Sequence, residues 1–589
     1  MNVINKVDVT VEVCGMAGDG TIAAGGLLNE AMSAGGFSVL GFDSYPAEIR
    51  GFGRCVTRSR IGDEEILALR DETHVLISLD DKESRSRVPF LSEDAAVFFD
   101  DKPPSYVEEG LSIAGHVEPG TRLFGMPFAD LAAAASGSHR GRNIVALGGF
   151  AAVFGVPTRL LEDVIRKKFG SKGEKVVDAN LKCFGAGYRY ARDKFAGRLR
   201  EVFVLPETPG GPERVMMSGN LAIGKAALDA GLKLYFGYPI TPATPIMEYL
   251  AKELPKRGGR VTQMEDEISS IGAVLGAGYA GVRSMTATSG PGFALMTELI
   301  THGVMAEIPA VILDAQRGGP STGLPTKTEQ SDLSAAIFGG PGDSARIVIA
   351  PTNVAECYEY VVRSFQLAER YQTPVVVLTD FYLDNRVENL PLPQATAEET
   401  SDGNSRPVRS DGPYKRYELT ESGISPRAVP GMEGFQFVAS GLEHTESGKP
   451  DYTPEVHTAM MEKRYRKLHR ALGELPLPRE FHSNGRMEIG VVSWGSTVGS
   501  VLEAVAMART KGINAGALKV TSLYPLHEEI IREFMERCNY VLIPELNFEG
   551  QFANLVACLS RNGVQRLNRV TGVPISPTAI LDRIEELLR

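Results

Sequence analysis

Short apolar runs alternate with longer stretches of helical period in three parts of the chain. In the first part, the runs at 7–13, 37–42, 74–79 and 95–99 are typical of strands, and residues 21–34 have the period of a helix. The same alternation continues from 214 to 392 and again from 486 to 589. Strands that alternate with helices favour parallel sheets covered by helices on both faces. The pattern therefore predicts an α/β protein with three doubly wound parallel-sheet domains.

Breaks in this pattern set the expected domain boundaries. Proline and glycine cluster between Leu205 and Pro212, which indicates a linker over 201–213 after a first domain over 1–200. Residues 393–485 form a polar, irregular insertion between the second domain and the third. The insertion either wraps a partner or is a surface excursion, and its basic helical stretch, 460–472, is expected to be solvent-exposed.

Three loop motifs between 237 and 292 carry the candidate chemistry. In Gly-Tyr-Pro-Ile-Thr-Pro, 237–242, two prolines fix φ and remove backbone donors, so a strand ends there in a rigid turn that holds Thr241. Asp266 and Glu267 come where a helix should begin, because acidic side chains suit the positive end of the helix dipole. That helix has glycine and alanine on one side, which allows another backbone to approach closely. A third motif, Thr-Ala-Thr-Ser-Gly-Pro-Gly, follows at 286–292.

These motifs together resemble the 2-oxoacid:ferredoxin oxidoreductases, which are thiamine diphosphate enzymes. The likeness extends through Arg-Gly-Gly-Pro-Ser-Thr-Gly-Leu-Pro-Thr-Lys-Thr at 317–328 and covers nearly the whole chain. It implies a gamma-type domain over 1–200 fused to an alpha subunit, with the pyrimidine-binding domain of the cofactor over 214–392. Residues 486–589 resemble the C-terminal domain of transketolase-like enzymes.

The resemblance also implies roles for individual residues. Glu267 would activate the cofactor, although a carboxylate that serves only the helix dipole remains an alternative. Thr241 would contact the substrate, although capping the next helix remains an alternative. The implied cofactor-binding residues are Tyr238, Pro239, Ile240, Glu267, Ser289 and Gly290. The cations that could bind a substrate carboxylate beside Thr241 are Lys327, Arg50, Arg317 and Arg346, and the sequence does not rank them.

Charge and cysteine content limit what this chain does alone. A net charge of −11 with dispersed Lys and Arg argues against nucleic acid as a partner. The sequence has neither an apolar run of about 18 residues, as a membrane span needs, nor a signal peptide, so we expect a cytoplasmic protein. Its six cysteines are scattered without the short spacing of an iron–sulfur site.

The diphosphate end of the cofactor lacks its usual motif in this chain. Thiamine enzymes bind Mg²⁺ and diphosphate with Gly-Asp-Gly followed by an asparagine pair, and Gly18-Asp19-Gly20 has no such pair after it. The glycine-rich turn at 15–20 is either an anion site or a tight structural turn. By resemblance, Mg²⁺, the diphosphate and a [4Fe–4S] cluster belong to a beta subunit, thiamine diphosphate lies between the chains, the assembly is α2β2, and ferredoxin accepts the electrons.

The implied reaction is the reversible oxidative decarboxylation of a 2-oxoacid with CoA. The fused gamma-type domain and the loop at 317–328 favour 2-oxoglutarate, giving succinyl-CoA and CO₂. Pyruvate and branched-chain 2-oxoacids are alternatives, as is a thiamine-dependent component that does not use ferredoxin. A non-catalytic nucleotide-binding scaffold is disfavoured, because a scaffold needs no buried carboxylate beside a rigid turn.

Overall fold

The chain folds into two compact units, one of which includes a short return segment. A computed structural model describes residues 6–45, 53–102, 112–205, 214–395, 413–483 and 485–589. The first unit is Met1–Met217 with Arg386–Leu392, and the second is Ser218–Asn385 with Pro393–Arg589.

Helices and strands alternate through most of the described chain. Up to the insertion, they are β1 (Asp8–Met16), α1 (Thr21–Ala34), β2 (Ser38–Ser44), β3 (Arg54–Gly62), β4 (Thr73–Ser78), α2 (Asp81–Ser84), β5 (Leu91–Asp100), β6 (Arg122–Met126), α3 (Phe128–Ser136), α4 (Arg142–Phe154), α5 (Thr158–Phe169), α6 (Glu174–Lys194), β7 (Arg214–Ser218), α7 (Gly219–Asp229), β8 (Leu234–Gly237), α8 (Thr244–Glu253), β9 (Arg260–Gln263), α9 (Glu267–Tyr279), β10 (Ser284–Thr288), α10 (Gly290–Met305), β11 (Ala310–Gln316), α11 (Leu333–Phe338), β12 (Ile347–Ile349), α12 (Val354–Tyr371), β13 (Pro374–Asp380), α13 (Phe381–Asn385) and β14 (Val387–Pro391).

The insertion and the C-terminal region contain the remaining elements. They are α14 (Pro454–Ala471), β15 (Arg479–Phe481), β16 (Met487–Ser493), α15 (Thr497–Thr510), β17 (Ala515–Lys519), β18 (Ser522–Tyr524), α16 (Glu528–Glu536), β19 (Cys538–Glu545), α17 (Gln551–Val556), β20 (Gln565–Asn568) and α18 (Pro577–Leu588).

The sheet of the first unit is mixed, with the order β6-β5-β4-β1-β3-β2-β14-β7. Its β6-β5-β4-β1 half is parallel, as the sequence predicts, whereas β3 pairs antiparallel with both β1 and β2. Strand β3 was not predicted from the apolar pattern, because its arginines interrupt the alternation. Arg58 on β3 and Arg87 both pair with the buried carboxylate of Glu12 on β1, at 2.6 and 2.7 Å. A paired charge therefore takes a position that an apolar side chain would otherwise fill.

The ends of the second domain differ from the expected 214–392. Strands β7 and β14 belong to the first sheet, and β14 pairs antiparallel with β2. The Asn389 side chain fixes this position, because it accepts a hydrogen bond from Val39 N and donates one to the carbonyl of Phe37. The return strand thus completes the first unit.

The glycine-rich turn at 15–20 is held by its own aspartate. The carboxylate of Asp19 accepts a hydrogen bond from Met16 N at 2.8 Å and pairs with Arg142. Asn143 donates to the carbonyl of Gly20 at 3.0 Å. These contacts favour a structural turn over an anion site.

The second unit contains two sheets that share one core. The larger has the order β18-β12-β13-β11-β10-β8-β9 and is parallel except at β18, and the smaller has the order β15-β17-β16-β19-β20. Strand β18 comes from the C-terminal region but pairs with β12. Buried side chains of both regions, such as Ile271, Phe293, Trp494 and Phe552, belong to one apolar cluster. The α/β class with three sheets is confirmed.

The helix of the insertion is buried along one side, so the expectation of a solvent-exposed basic stretch is wrong. Helix α14 begins at Pro454, earlier than expected, and its Lys463, Arg464 and Lys467 are buried. Lys463 and Lys467 both pair with Glu307, whose side chain is fully buried after α10. The two ammonium groups hold the pKa of Glu307 far below its usual range, while burial lowers the pKa of Lys467 to about 7.

Five of the six cysteines are buried, as expected, and Cys558 is exposed. Among the described residues, no helix combines the length and the apolar character that crossing a membrane requires.

Replacing Glu307 with Gln should loosen the insertion, because two buried ammonium groups lose their only described carboxylate. We expect the free energy of opening of α14, measured by hydrogen exchange, to fall by about 3 kcal/mol. Glu446→Gln is the matched control, since Glu446 pairs with the solvent-exposed Lys415 and should have a much smaller effect. Equal effects of the two substitutions would contradict this account of the buried cluster.

Candidate active site

The Tyr-Pro-Ile-Thr-Pro turn lies where β8 ends, at the carboxyl edge of the larger sheet of the second unit. The chain leaves β8 at Gly237 and enters α8 at Thr244. The Asn220 side chain donates to the carbonyl of Pro242 at 3.2 Å and steadies the turn. Ala243 is the N-cap of α8, and among the described residues no side chain caps this helix. Thr241 therefore does not serve as the cap that the sequence left open.

Glu267 is the first residue of α9, as predicted. Asp266 is the N-cap and forms a capping box with Ser269, so the helix start does not depend on Glu267. Glu267 is only 7% exposed, and no described side chain or backbone group hydrogen-bonds its carboxylate. A buried carboxylate without a partner is costly, which favours a ligand as its partner.

Gly292 makes room for that carboxylate. A Cβ atom at Gly292 would lie 2.5 Å from Glu267 Oε1 and 2.1 Å from Thr288 Oγ1. Both distances are far below van der Waals contact, so only glycine fits. The position of Glu267 in the second motif therefore explains why the third motif has glycine at 292.

The start of α10 presents another polar group. Ser289 is the N-cap, and its hydroxyl is buried without a hydrogen-bond partner in the described structure. Next to it, a Cβ at Gly290 would lie 2.6 Å from Asp332 Oδ2. The predicted residues Ser289 and Gly290 therefore lie close to Asp332.

Arg317, just after β11, connects these groups. Its Nη1 donates to the carbonyl of Thr241 at 2.7 Å, and its Nε is buried without a partner among the described residues. Burial lowers the pKa of Arg317, and the charges of Asp332 and Glu267 oppose that shift. Parallel strands meet their ligands at the carboxyl edge, and β8, β10 and β11 are neighbours there. The arrangement brings a guanidinium, a free carboxylate and a rigid turn to one place.

Sequence reasoning missed Asp332 and the carboxylates behind it. Burial and the nearby Glu329 raise the pKa of Asp332 to about 6. Burial, with Asp332 and Asp384 close by, raises the pKa of Asp314 well above its usual range. The sequence offers one signal for Asp314: it lies near the end of a fully buried strand, where an acidic side chain is unusual.

The contacts described for two other candidate cations involve other parts of the chain. The stem of Lys327 lies against Gly572, whose Cβ would be 2.9 Å from Lys327 Cβ. Arg346 is fully buried, donates to the carbonyl of Gly339 at 2.5 Å and lies near Tyr465 and Tyr524. Arg50 falls outside the described residues.

The site fits the pyrimidine end of thiamine diphosphate. A ring with an amino group and basic nitrogens needs one carboxyl partner and further hydrogen-bonding groups. Glu267 and the unpartnered hydroxyl of Ser289 supply such groups, and the exposed ring of Tyr238 lies on the same turn as Pro239 and Ile240.

Comparisons with known proteins agree with this geometry. A family model described as the thiamine diphosphate-binding region of pyruvate flavodoxin/ferredoxin oxidoreductase matches residues 225–463. Two further models of pyruvate:ferredoxin oxidoreductases match residues 10–190 and 487–580. The 2-oxoacid:ferredoxin oxidoreductase 2 alpha subunit of Aeropyrum pernix is 31% identical over 99% of this chain and 98% of its own length. The chain belongs to the 2-oxoacid:ferredoxin oxidoreductases.

Other relatives of this family have narrower names. The 2-oxoglutarate oxidoreductase subunit KorA of Mycobacterium tuberculosis is 32% identical over 96% of this chain and 89% of its own length. A solved 2-oxoglutarate:ferredoxin oxidoreductase from Magnetococcus marinus, with 2-oxoglutarate, coenzyme A and succinyl-CoA bound, is 35% identical. Its TM-score is 0.92 over 99% of this chain and 100% of that chain. The family and the N-terminal gamma-type domain expected from the sequence are confirmed.

Gly292→Ala should displace the Glu267 carboxylate, because the new methyl group would occupy its place. We expect turnover to fall by about a hundredfold or more, which is typical of a catalytic group moved by about 1 Å. Circular dichroism and assembly with partner chains should stay unchanged. Gly26→Ala in α1 is the matched control, since no described heavy atom lies within 4 Å of its Cβ position. Full activity in Gly292→Ala would contradict the close packing of Glu267 on α10.

Proposed function

We propose that this chain is the alpha subunit, with a fused gamma-type domain, of a 2-oxoglutarate:ferredoxin oxidoreductase. The reaction converts 2-oxoglutarate, CoA and two oxidised ferredoxins into succinyl-CoA, CO₂, two reduced ferredoxins and a proton, and it is reversible. The observation that carries this proposal is the match over 99% of the chain to a solved enzyme with 2-oxoglutarate and succinyl-CoA bound.

Of the candidate cations that the structure describes, Arg317 is the best placed to bind the substrate carboxylate. Among the described residues it donates one hydrogen bond, to the carbonyl of Thr241, and its Nε is left for a ligand. A guanidinium binds a carboxylate through two parallel hydrogen bonds, and partial burial strengthens them. The Thr241 hydroxyl on the same rigid turn would then reach the 2-oxo group.

Glu267 would hold a proton at a ring nitrogen of the pyrimidine. The chemistry that thiamine diphosphate supplies when bound is a carbanion at C2, which its aminopyrimidine helps to form. Glu267 suits this task because its carboxyl group is buried and lacks a described partner of its own. Ser289, Gly290, Tyr238, Pro239 and Ile240 would line the ring.

A beta subunit would complete the site. The exposed side of α9 carries Ile268, Gly272 and Gly276, and Leu295 on α10 is 52% exposed. No described heavy atom lies within 4 Å of a Cβ at Gly276, so nothing described within the chain requires glycine there. Glycine in a helix costs about 1 kcal/mol relative to alanine, and close approach of another chain would account for it. We propose that the beta subunit docks here.

In the proposed assembly, the beta subunit holds Mg²⁺, the cofactor diphosphate and a [4Fe–4S] cluster. The assembly is an α2β2 complex in the cytoplasm, and ferredoxin is the electron acceptor. Asp19 of the Gly-Asp-Gly sequence is already paired with Arg142, which agrees with a metal site on another chain.

Viologen reduction by the native complex tests the proposed substrate. The complex is assayed without oxygen, with CoA and with 2-oxoglutarate, pyruvate or 2-oxoisovalerate. We expect CoA-dependent reduction with 2-oxoglutarate at the highest kcat/KM. A higher kcat/KM with another 2-oxoacid would contradict the proposed substrate. If a complex that contains thiamine diphosphate reduces no viologen with any of the acids, the ferredoxin-linked reaction is contradicted.

Arg317→Met should raise the KM for the 2-oxoacid, because the substrate carboxylate loses two charge-assisted hydrogen bonds. We expect kcat/KM to fall by about a hundredfold or more. Lys327→Met is the control and should leave kcat/KM within about threefold, since the Lys327 stem lies against Gly572. The opposite ranking of the two variants would assign the carboxylate to Lys327.

Gly276→Leu should block assembly without harming the fold of the chain. Leucine favours a helix over glycine by roughly 1 kcal/mol, so the isolated variant should be at least as stable as the native chain. Affinity for the beta subunit, measured by calorimetry, should fall by at least about tenfold because the side chain fills the contact. Native affinity would place the beta subunit elsewhere.

A further inference from the structure

Gln330 is a buried amide whose polar groups are all bonded to the C-terminal domain, residues 486–589. It is fully buried, and its Nε2 donates to the carbonyl of Trp494 at 3.1 Å. Its Oε1 accepts from Thr497 Oγ1 at 2.8 Å and from Leu546 N at 3.2 Å. Its backbone N donates to the carbonyl of Leu546, and its backbone carbonyl accepts from the Asn547 side chain. Such complete bonding fixes one orientation of the residue.

Gln330 lies on the loop that begins with Arg317 and ends with Asp332, which we call the arginine loop. The two ends of the arginine loop are tied, because Asp332 N donates to the side chain of Gln316 at 3.0 Å. Near its start, Gly318 N donates to the carbonyl of Lys327 at 2.9 Å. Gln330 is two residues from Asp332, and Asp332 is bonded to Gln316, the neighbour of Arg317. A shift of Gln330 can therefore displace Arg317.

The C-terminal domain also binds the arginine loop on both sides of Gln330. Thr328 N donates to the carbonyl of Gly572 at 3.3 Å. Gln551 Nε2 donates to the carbonyl of Ser331 at 2.7 Å. A Cβ at Gly495 would lie 2.5 Å from Gln330 Nε2, so the domain closes tightly around the amide.

We propose that Gln330 is a positioning residue through which the C-terminal domain sets the place of the Arg317 guanidinium, and hence the affinity for the 2-oxoacid. The inference rests on the proposed role of Arg317. It gives a role in substrate binding to a domain in which the sequence analysis names no site residue. Glu267 and the start of α10 lie on other elements, so thiamine diphosphate binding should not depend on Gln330.

Gln330→Ala in the complex with the native partner chains tests this proposal. Three buried groups, the Trp494 carbonyl, Leu546 N and the Thr497 hydroxyl, lose their partner. The arginine loop keeps its backbone bonds to the C-terminal domain but loses the side-chain bonds that fix its position. We expect the KM for the 2-oxoacid to rise at least about tenfold, with kcat and the Kd of thiamine diphosphate within about threefold. A merely structural role would lower Tm and the active fraction and leave KM unchanged.

Gln330→Glu provides a pH readout that a structural role would not give. An ionised carboxylate would face the Trp494 carbonyl, whereas the protonated form restores the donor. Burial raises the pKa of such a group. Nearby acidic residues add to this: Glu329 and Asp332 lie on the same loop, and Glu545 accepts a hydrogen bond from Asn547, which also donates to the Gln330 carbonyl. The KM of this variant should approach the native value as pH falls from about 8 to about 6, with the native complex as reference.

Thr497→Val covers the case in which changes at Gln330 prevent assembly. It removes one hydrogen bond to Gln330 from the C-terminal side and should raise the KM for the 2-oxoacid about threefold. Thr510→Val on the same helix is the control, because the Thr510 hydroxyl bonds to the carbonyl of Met507. An unchanged KM in Gln330→Ala would overturn this inference and leave the proposed function standing. If Gln330→Ala does not assemble, an unchanged KM in Thr497→Val would do the same. A native complex that oxidises none of the 2-oxoacids overturns the proposed function as well.

Discussion

The hydrogen bond from Arg317 to the carbonyl of Thr241 is the contact on which the candidate site depends. It joins the turn after β8 to the loop after β11, two strands that flank β10 in one parallel sheet. Since parallel strands bring their carboxyl ends to the same edge, this one bond sets the guanidinium beside the rigid turn and near Glu267. The arrangement suits a 2-oxoacid, whose carboxylate and oxo group are adjacent.

The second constraint is that buried charges need partners. Two buried clusters away from the site meet it, because Glu307 has two lysines and Glu12 has two arginines. At the site, no described group hydrogen-bonds the Glu267 carboxylate, and the neutral hydroxyl of Ser289 is also buried without a described hydrogen-bond partner. A ligand that hydrogen-bonds such buried groups gains affinity, since the desolvation cost of these groups has already been met by folding.

The sequence predicted helices, strands and turns better than it predicted which distant residues come into contact. The start of α9 at Glu267 and the turn after β8 follow from local rules, namely helix capping and the restricted φ of proline. The burial of Lys467 could not be foreseen, because it depends on Glu307, which is distant in sequence. Arg317, Lys327 and Arg346 looked equivalent for the same reason: a cation in a loop has no local signal of what it will face. Asp332 was not predicted as a site residue, because only the folded chain brings it next to Gly290.

Calorimetric titration of thiamine diphosphate tests most directly the claim that this chain holds half of a shared cofactor site. The cofactor, with Mg²⁺, is titrated into the isolated chain, the isolated beta subunit and their complex. The account predicts tight binding by the complex and at least about a hundredfold weaker binding by either chain alone, because each supplies only one end of the site. Binding by the isolated chain as tight as by the complex would contradict it.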